Sequence, residues 1–133
     1  MLKQLTNVQV WVHDQDEALA FYTEKLGLEL REDVTVPEMG NFRWLTVGVP
    51  GQPDVAITLM AVPGPPVFEA ETRDKIMDLM AKGAASGLFF SSDDVQATYE
   101  DLILAGGRYT SLVTRDDELA PGPPVLSEVT EAS

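Results

Sequence analysis

The sequence predicts an α+β fold made of two successive strand–helix units, and three observations carry that prediction. Early in the chain, an alternating pattern of apolar residues gives way at Asp14 to helical spacing, which stops at Gly27. The same layout of strand, cap, helix and glycine returns between Leu88 and Gly107, about 80 residues further on and with little identity. Between the two lies 62–68, VPGPPVF, which suits neither a central strand nor a helix interior. These features divide the chain into a first module at 3–62, a linker at 63–85 and a second module at 86–130.

Taken in order, Val8, Val10 and Val12 face one way and Asn7, Gln9 and Trp11 the other, as in a strand. Asp14 is placed to cap a helix, and Glu17 completes a capping-box pattern. Ala18, Phe21, Tyr22 and Lys25 follow at helical spacing. Leu28 and Leu30 begin a second strand that the charges at 31–33 cut short, and 34–40, with Pro37 and Gly40, reads as a loop. In 42–49, Phe42, Trp44 and Thr46 share one strand face and Arg43, Leu45 and Val47 the other. After the turn VPGQPD, the strand 54–61 sets Ala56, Thr58 and Met60 against Val55, Ile57 and Leu59; it is apolar enough to be covered on both sides.

Residues 69–82 fit a helix with Ile76, Leu79 and Met80 on one face, and fit a partly irregular connector equally well. Leu88 and Phe90 then alternate with Phe89 and Ser91, and Asp93 with Gln96 repeats the capping pattern. Val95, Thr98, Tyr99, Leu102 and Ile103 mark a helix face that ends at Gly106 and Gly107. Beyond it, 108–114 makes one strand, 120–124 a Pro/Gly turn, and 125–129 a short last strand before a loose tail.

A chain of 133 residues has room for one domain, or for two small halves sharing a core. No apolar run approaches the roughly 20 residues of a membrane span, and MLKQLTNV is not a secretory signal. With no Cys there is no disulfide and no thiolate site, so a cytoplasmic protein without a membrane partner is expected. The net charge of -13 argues against a nucleic-acid partner, which needs a basic surface. That acidity serves solubility or favours a cationic small molecule, and composition does not choose between them.

Val12-His13-Asp14 followed by Ala20-Phe21-Tyr22 and Lys25-Leu26-Gly27-Leu28, with Phe89 to Val95 (FFSSDDV), Tyr99-Glu100-Asp101-Leu102 and Gly106 in the second half, resembles the vicinal oxygen chelate superfamily. That superfamily includes glyoxalase I, extradiol dioxygenases, fosfomycin-resistance enzymes and bleomycin-resistance proteins. The resemblance covers residues 3–107. It implies two βαβββ modules forming a curled mixed sheet around a shared cleft, in a homodimer. The end of the chain departs from the pattern, since no Asp-Pro-x-Gly turn follows Gly107; the second module is expected to be incomplete, through truncation or a changed reading frame.

The resemblance also implies where a metal would be held. Its first-strand ligand position falls on Asn7, the next on Thr58 and the third on Gly87, or on Ser86 if the register slips by one. The fourth falls beyond the end of this chain. None of these is a His or a carboxylate, and Glu128 and Glu131 in the tail add little to such a set, so neither metal nor other cofactor is expected. His13, the sole histidine, reads as an exposed turn residue. Ser86, Ser91, Ser92 and Ser111 have no base beside them, so no catalytic residue is assigned.

On the implied architecture, Val8, Val10, Val12, Leu45, Val47, Ile57, Leu59, Leu88 and Phe90 pack against the helices. Asn7, Gln9, Trp11, Phe42, Trp44, Thr58, Met60 and Phe89 then line the cleft, giving an aromatic, uncharged wall suited to an organic ligand. Trp11 and Trp44 have two competing roles, in the core and in a dimer interface. The function expected is a metal-independent small-molecule binding protein that sequesters an aromatic or cationic compound. One alternative is a superfamily enzyme (lyase, isomerase or dioxygenase) holding a metal by unexpected residues such as Gln9. The other is a non-catalytic paralogue or subunit.

Overall fold

The alternation around Val8, Val10 and Val12 gives the first strand, β1 (Asn7–Val12). Asp14 then ends the extended chain, its carboxylate accepting from the Glu17 N–H at 2.9 Å, and helix α1 (Gln15–Ala20) begins. A π-helical turn, Phe21–Lys25, continues the helix, and the Leu26 N–H reaches the Phe21 carbonyl at 3.1 Å. The extra residue of that turn is absorbed at Gly27, whose φ of 73° lets the Leu28 N–H return to the Tyr22 carbonyl.

Three strands complete the first sheet: β2 (Glu29–Val36), β3 (Phe42–Gly48) and β4 (Ala56–Ala61). Their order is β1-β4-β3-β2, with β1 and β4 parallel and the other neighbours antiparallel, so the sheet is mixed. Helix α2 (Ala70–Ala81) follows the Pro-rich segment and buries none of its side chains. Later in the chain β5 (Phe89–Ser91), β6 (Arg108–Val113) and β7 (Val125–Thr130) form a second sheet in the order β5-β7-β6, antiparallel throughout. These elements come from a computed structural model that describes residues 1–85, 87–91, 93, 94, 97, 108–113 and 125–130. The chain divides into two compact units, Met1–Met80 and Ala81–Ser133. Among the described residues, no helix is long and apolar enough to cross a membrane.

The core of the first unit lies under α1. Val10, Val12, Leu45, Val47, Ile57 and Leu59 are buried there, on the face predicted to meet the helix, and Ala18, Phe21 and Tyr22 close it from the helical side. Burying each such side chain contributes about 1.5–3 kcal/mol. The Gln15 amide fixes the helix on the sheet by donating to the Arg43 and Leu59 carbonyls, at 3.2 and 2.9 Å.

Two expectations are corrected. The strand β2 is not cut at 31–33: it runs through those charges and through half of the expected loop, leaving only a short 3₁₀ turn at Pro37–Met39. An edge strand tolerates charge, and here Asp33 pairs with Arg43 while Arg31 occupies a bulge between the Leu30 and Glu32 pairings. The hydrogen bonds form no single curled sheet, because among the described residues they run in separate sheets of four and three strands. At the second cap Asp94 accepts from the Ala97 N–H at 3.0 Å, while Gln96, expected to complete the pattern with Asp93, lies outside the described residues. The strands expected at 108–114 and 125–129 are present as β6 and β7, with β7 joined to both β5 and β6. The helix face expected from Val95 to Ile103, its glycine stop and the 120–124 turn lie outside the described residues, Ala97 excepted.

Candidate functional site

The sheet face turned away from α1 is built in cross-strand rows. One row runs Gln9–Thr58–Thr46–Glu32, each residue directly paired with the next across all four strands. Two further pairs, Trp11 with Met60 and Trp44 with Val34, lie one side-chain step along the strands and share that face. Phe42, paired with Val36, continues it. The arrangement sets a polar band beside an aromatic one.

The centre of the polar band is closed to solvent, with Thr46 0% and Thr58 2% exposed. The Asn7 amide donates to the Thr58 hydroxyl at 3.3 Å. Among the described residues, the Thr46 hydroxyl has no hydrogen-bond partner. At the aromatic end, Phe68 from the Pro-rich segment meets Trp11 edge to face, with ring centroids 5.9 Å apart. That contact carries the chain leaving β4 back onto the ring of Trp11.

On the opposite face Arg43 holds three elements together. Its guanidinium forks onto Asp33 of β2 with two bonds of 2.9 Å, and its third nitrogen reaches Asp16 of α1 at 2.6 Å. The hydrogen bonds from Arg43 hold the Asp33 carboxyl below the usual carboxylate range, and both acidic partners push the Arg43 pKa up.

Seven of the eight residues predicted to line a cleft, Asn7, Gln9, Trp11, Phe42, Trp44, Thr58 and Met60, share this one face. The eighth, Phe89, belongs to the other unit, on β5, where it is 69% exposed. His13 is exposed at the end of β1. The sequence reading missed Glu32, Thr46 and Phe68. The alternation in β3 already puts Thr46 beside Trp44, so its period was the available signal. Glu32 reaches this face only because of the bulge at Arg31, and it places a carboxylate on a wall expected to carry no charge. Nothing local in the sequence signals the return of Phe68.

The donor set does not fit the metal that the resemblance implies. Two of its ligand positions hold a neutral amide and a neutral hydroxyl engaged with each other; the third is Gly87, which has no side chain, or Ser86, which lies outside the described residues. Among the described residues, no three His, Asp or Glu side chains come together.

The profile of the Glyoxalase/Bleomycin resistance protein/Dioxygenase superfamily matches residues 4–118 of the chain. The uncharacterized protein YurT of Bacillus subtilis (strain 168) is 36% identical over 110 residues, which is 83% of this chain and 80% of that one. Among solved structures, UcmS2 is 41% identical with a TM-score of 0.70, over 88% of this chain and 86% of its own. TnmS3, an antibiotic binding protein from Streptomyces sp. CB03234, is 24% identical with a TM-score of 0.56, over 86% of this chain and 78% of its own, and shares the fold. With its strand–cap–helix opening, its mixed four-stranded sheet and a family profile spanning most of its length, this chain belongs to the glyoxalase/bleomycin-resistance/dioxygenase superfamily, the vicinal oxygen chelate proteins.

Proposed function

We propose that this protein is a metal-independent small-molecule binder, a single domain of two modules that sequesters an aromatic or cationic compound over the polar-and-aromatic face of its first sheet. The observation that carries the proposal is the hydrogen bond from Asn7 to Thr58. It joins, as a neutral amide and a neutral hydroxyl, two positions at which the resemblance puts metal ligands. Beside that pair, Trp11, Trp44, Phe42 and Met60 offer ring faces and a thioether, the surfaces on which flat organic molecules stack. Glu32 on the same face and the net charge of -13 favour a positively charged ligand. TnmS3, described as an antibiotic binding protein, shares the fold. A homodimer fits the same reading: β2 is an edge strand on which Leu30 and Val34 are 50% and 52% exposed.

A flat aromatic cation, 9-aminoacridine, provides the test. Its titration into the protein is expected to quench the fluorescence of Trp11 and Trp44 saturably, equally with and without a chelator, and chromatography is expected to recover it unchanged. Loss of binding in the chelator, or conversion of the compound when Mn²⁺, Ni²⁺ or Zn²⁺ is supplied, would overturn the proposal in favour of a superfamily enzyme.

A further inference from the structure

Thr46 carries a hydroxyl that the fold itself does not use. Its side chain is 0% exposed, and among the described residues its Oγ1 has no hydrogen-bond partner. A buried hydroxyl without a partner destabilises a protein, and replacing it by an apolar group of the same shape is neutral or stabilising. Valine has that shape and suits a strand at least as well; the chain uses it at Val47, the next position. The hydroxyl at Thr46 therefore has no structural purpose to account for it.

Its place in the sheet supplies another purpose. Thr46 is at the middle of the polar row, between Thr58, whose hydroxyl accepts from Asn7, and Glu32. Trp44 stands two residues along the same strand on the same face, about 7 Å away at the usual rise per residue. A ligand stacked on Trp44 and Met60 thus brings a polar substituent over Thr46 when that substituent projects from the ring edge.

We propose that Thr46 is the specificity-determining hydrogen-bond group of the site, and that the ligand is an aromatic compound bearing a neutral hydroxyl or carbonyl at its ring edge. A threonine hydroxyl both donates and accepts, so it serves either group. Thr46 is closed to solvent, so a ligand that displaces its cover meets the hydroxyl without competition from water. The inference rests on the reading of this face as a binding site and adds the chemistry that the site selects.

The test uses a matched pair of probes, 1-naphthol and 1-methylnaphthalene, which differ in one hydrogen-bonding group at nearly constant shape. Tryptophan quenching is expected to show 1-naphthol bound about tenfold more tightly by the wild type, a difference of about 1.4 kcal/mol. Thr46→Val should erase that preference, and Thr46→Ser should keep it. The ligand-free Thr46→Val protein should also melt a few degrees higher, since it loses an unpaired buried hydroxyl. If Thr46→Val keeps the preference while both probes still bind, the hydroxyl is not read and only this inference fails. If Thr46→Val melts lower than wild type, the hydroxyl has an internal role and the inference fails on its premise. If neither probe affects the tryptophans, the reading of the face as a binding site falls, and this inference with it.

Discussion

The Asn7 amide of β1 donates to the Thr58 hydroxyl of β4 at 3.3 Å, reaching diagonally past the residue it pairs with, Ala56. Each side chain gives the other a partner on a face where Thr58 is buried. Neither carries a charge, and a neutral amide oxygen and a neutral hydroxyl are weak ligands for a divalent transition-metal ion.

On the proposed reading, this pair leaves the protein indifferent to metal. A ligand that binds the folded state raises its melting temperature in proportion to the logarithm of its concentration over Kd. Added Zn²⁺, Mn²⁺ or Ni²⁺ at micromolar concentration, or a chelator, is expected to move the melting temperature by less than about 1 °C. A concentration-dependent rise with any of these ions would contradict the expectation.

Arg43 ties β3 to β2 and α1 at once. Its Asp33 partner is 32% exposed and Asp16 is 84% exposed, so Arg43→Met should cost only on the order of 1 kcal/mol. The pH dependence has a definite sign. The bonds from Arg43 hold the folded pKa of Asp33 down, so the stabilisation is present above the unfolded value of about 3.9 and is lost as pH falls through the lower folded value. Melting curves of wild type and Arg43→Met should therefore differ at pH 7 and converge below pH ~4. A gap that persists undiminished into that range would assign the loss to packing rather than to the ion pair.

Gly48 is required by Arg31. A methyl group at position 48 would fall on the Arg31 guanidinium, which is held by the Val49 carbonyl at 3.0 Å, the Gln52 carbonyl at 3.1 Å and the Glu29 carboxylate at 3.0 Å. Gly48→Ala should displace that group and cost about 1–2 kcal/mol in lost hydrogen bonds. In an Arg31→Ala background the same substitution should cost far less. Chemical denaturation of the four proteins in this cycle measures the coupling, and additive effects would show that the contact does not matter.

The sequence made visible what depends on neighbours a few residues away. The change of period at Asp14 announces the cap and α1, and the alternations in β1, β3 and β4 assign their two faces. It concealed what depends on distant partners. Arg31, Glu32 and Asp33 look like the end of a strand until Arg43 and the bulge are known, because only those make charge acceptable there. Thr46 was placed on the right face, but its lack of a partner is a property of three dimensions.

The parallel pairing of β1 with β4 has a consequence for the order of assembly. The pairs β2–β3 and β3–β4 join segments adjacent in the chain, whereas Asn7 meets Ala56 only after a loop of roughly 50 residues has closed, which is entropically the dearer step. The three-stranded meander can thus form early, with β1 arriving late and bringing Asn7, Gln9 and Trp11. Backbone amides of β1 should accordingly exchange with solvent hydrogen by smaller openings than those of β3, and equal protection would contradict this order. The proposed recognition face is then finished by the last strand to dock, so a ligand resting on Trp11 would act as a latch that holds the first segment of the chain in place.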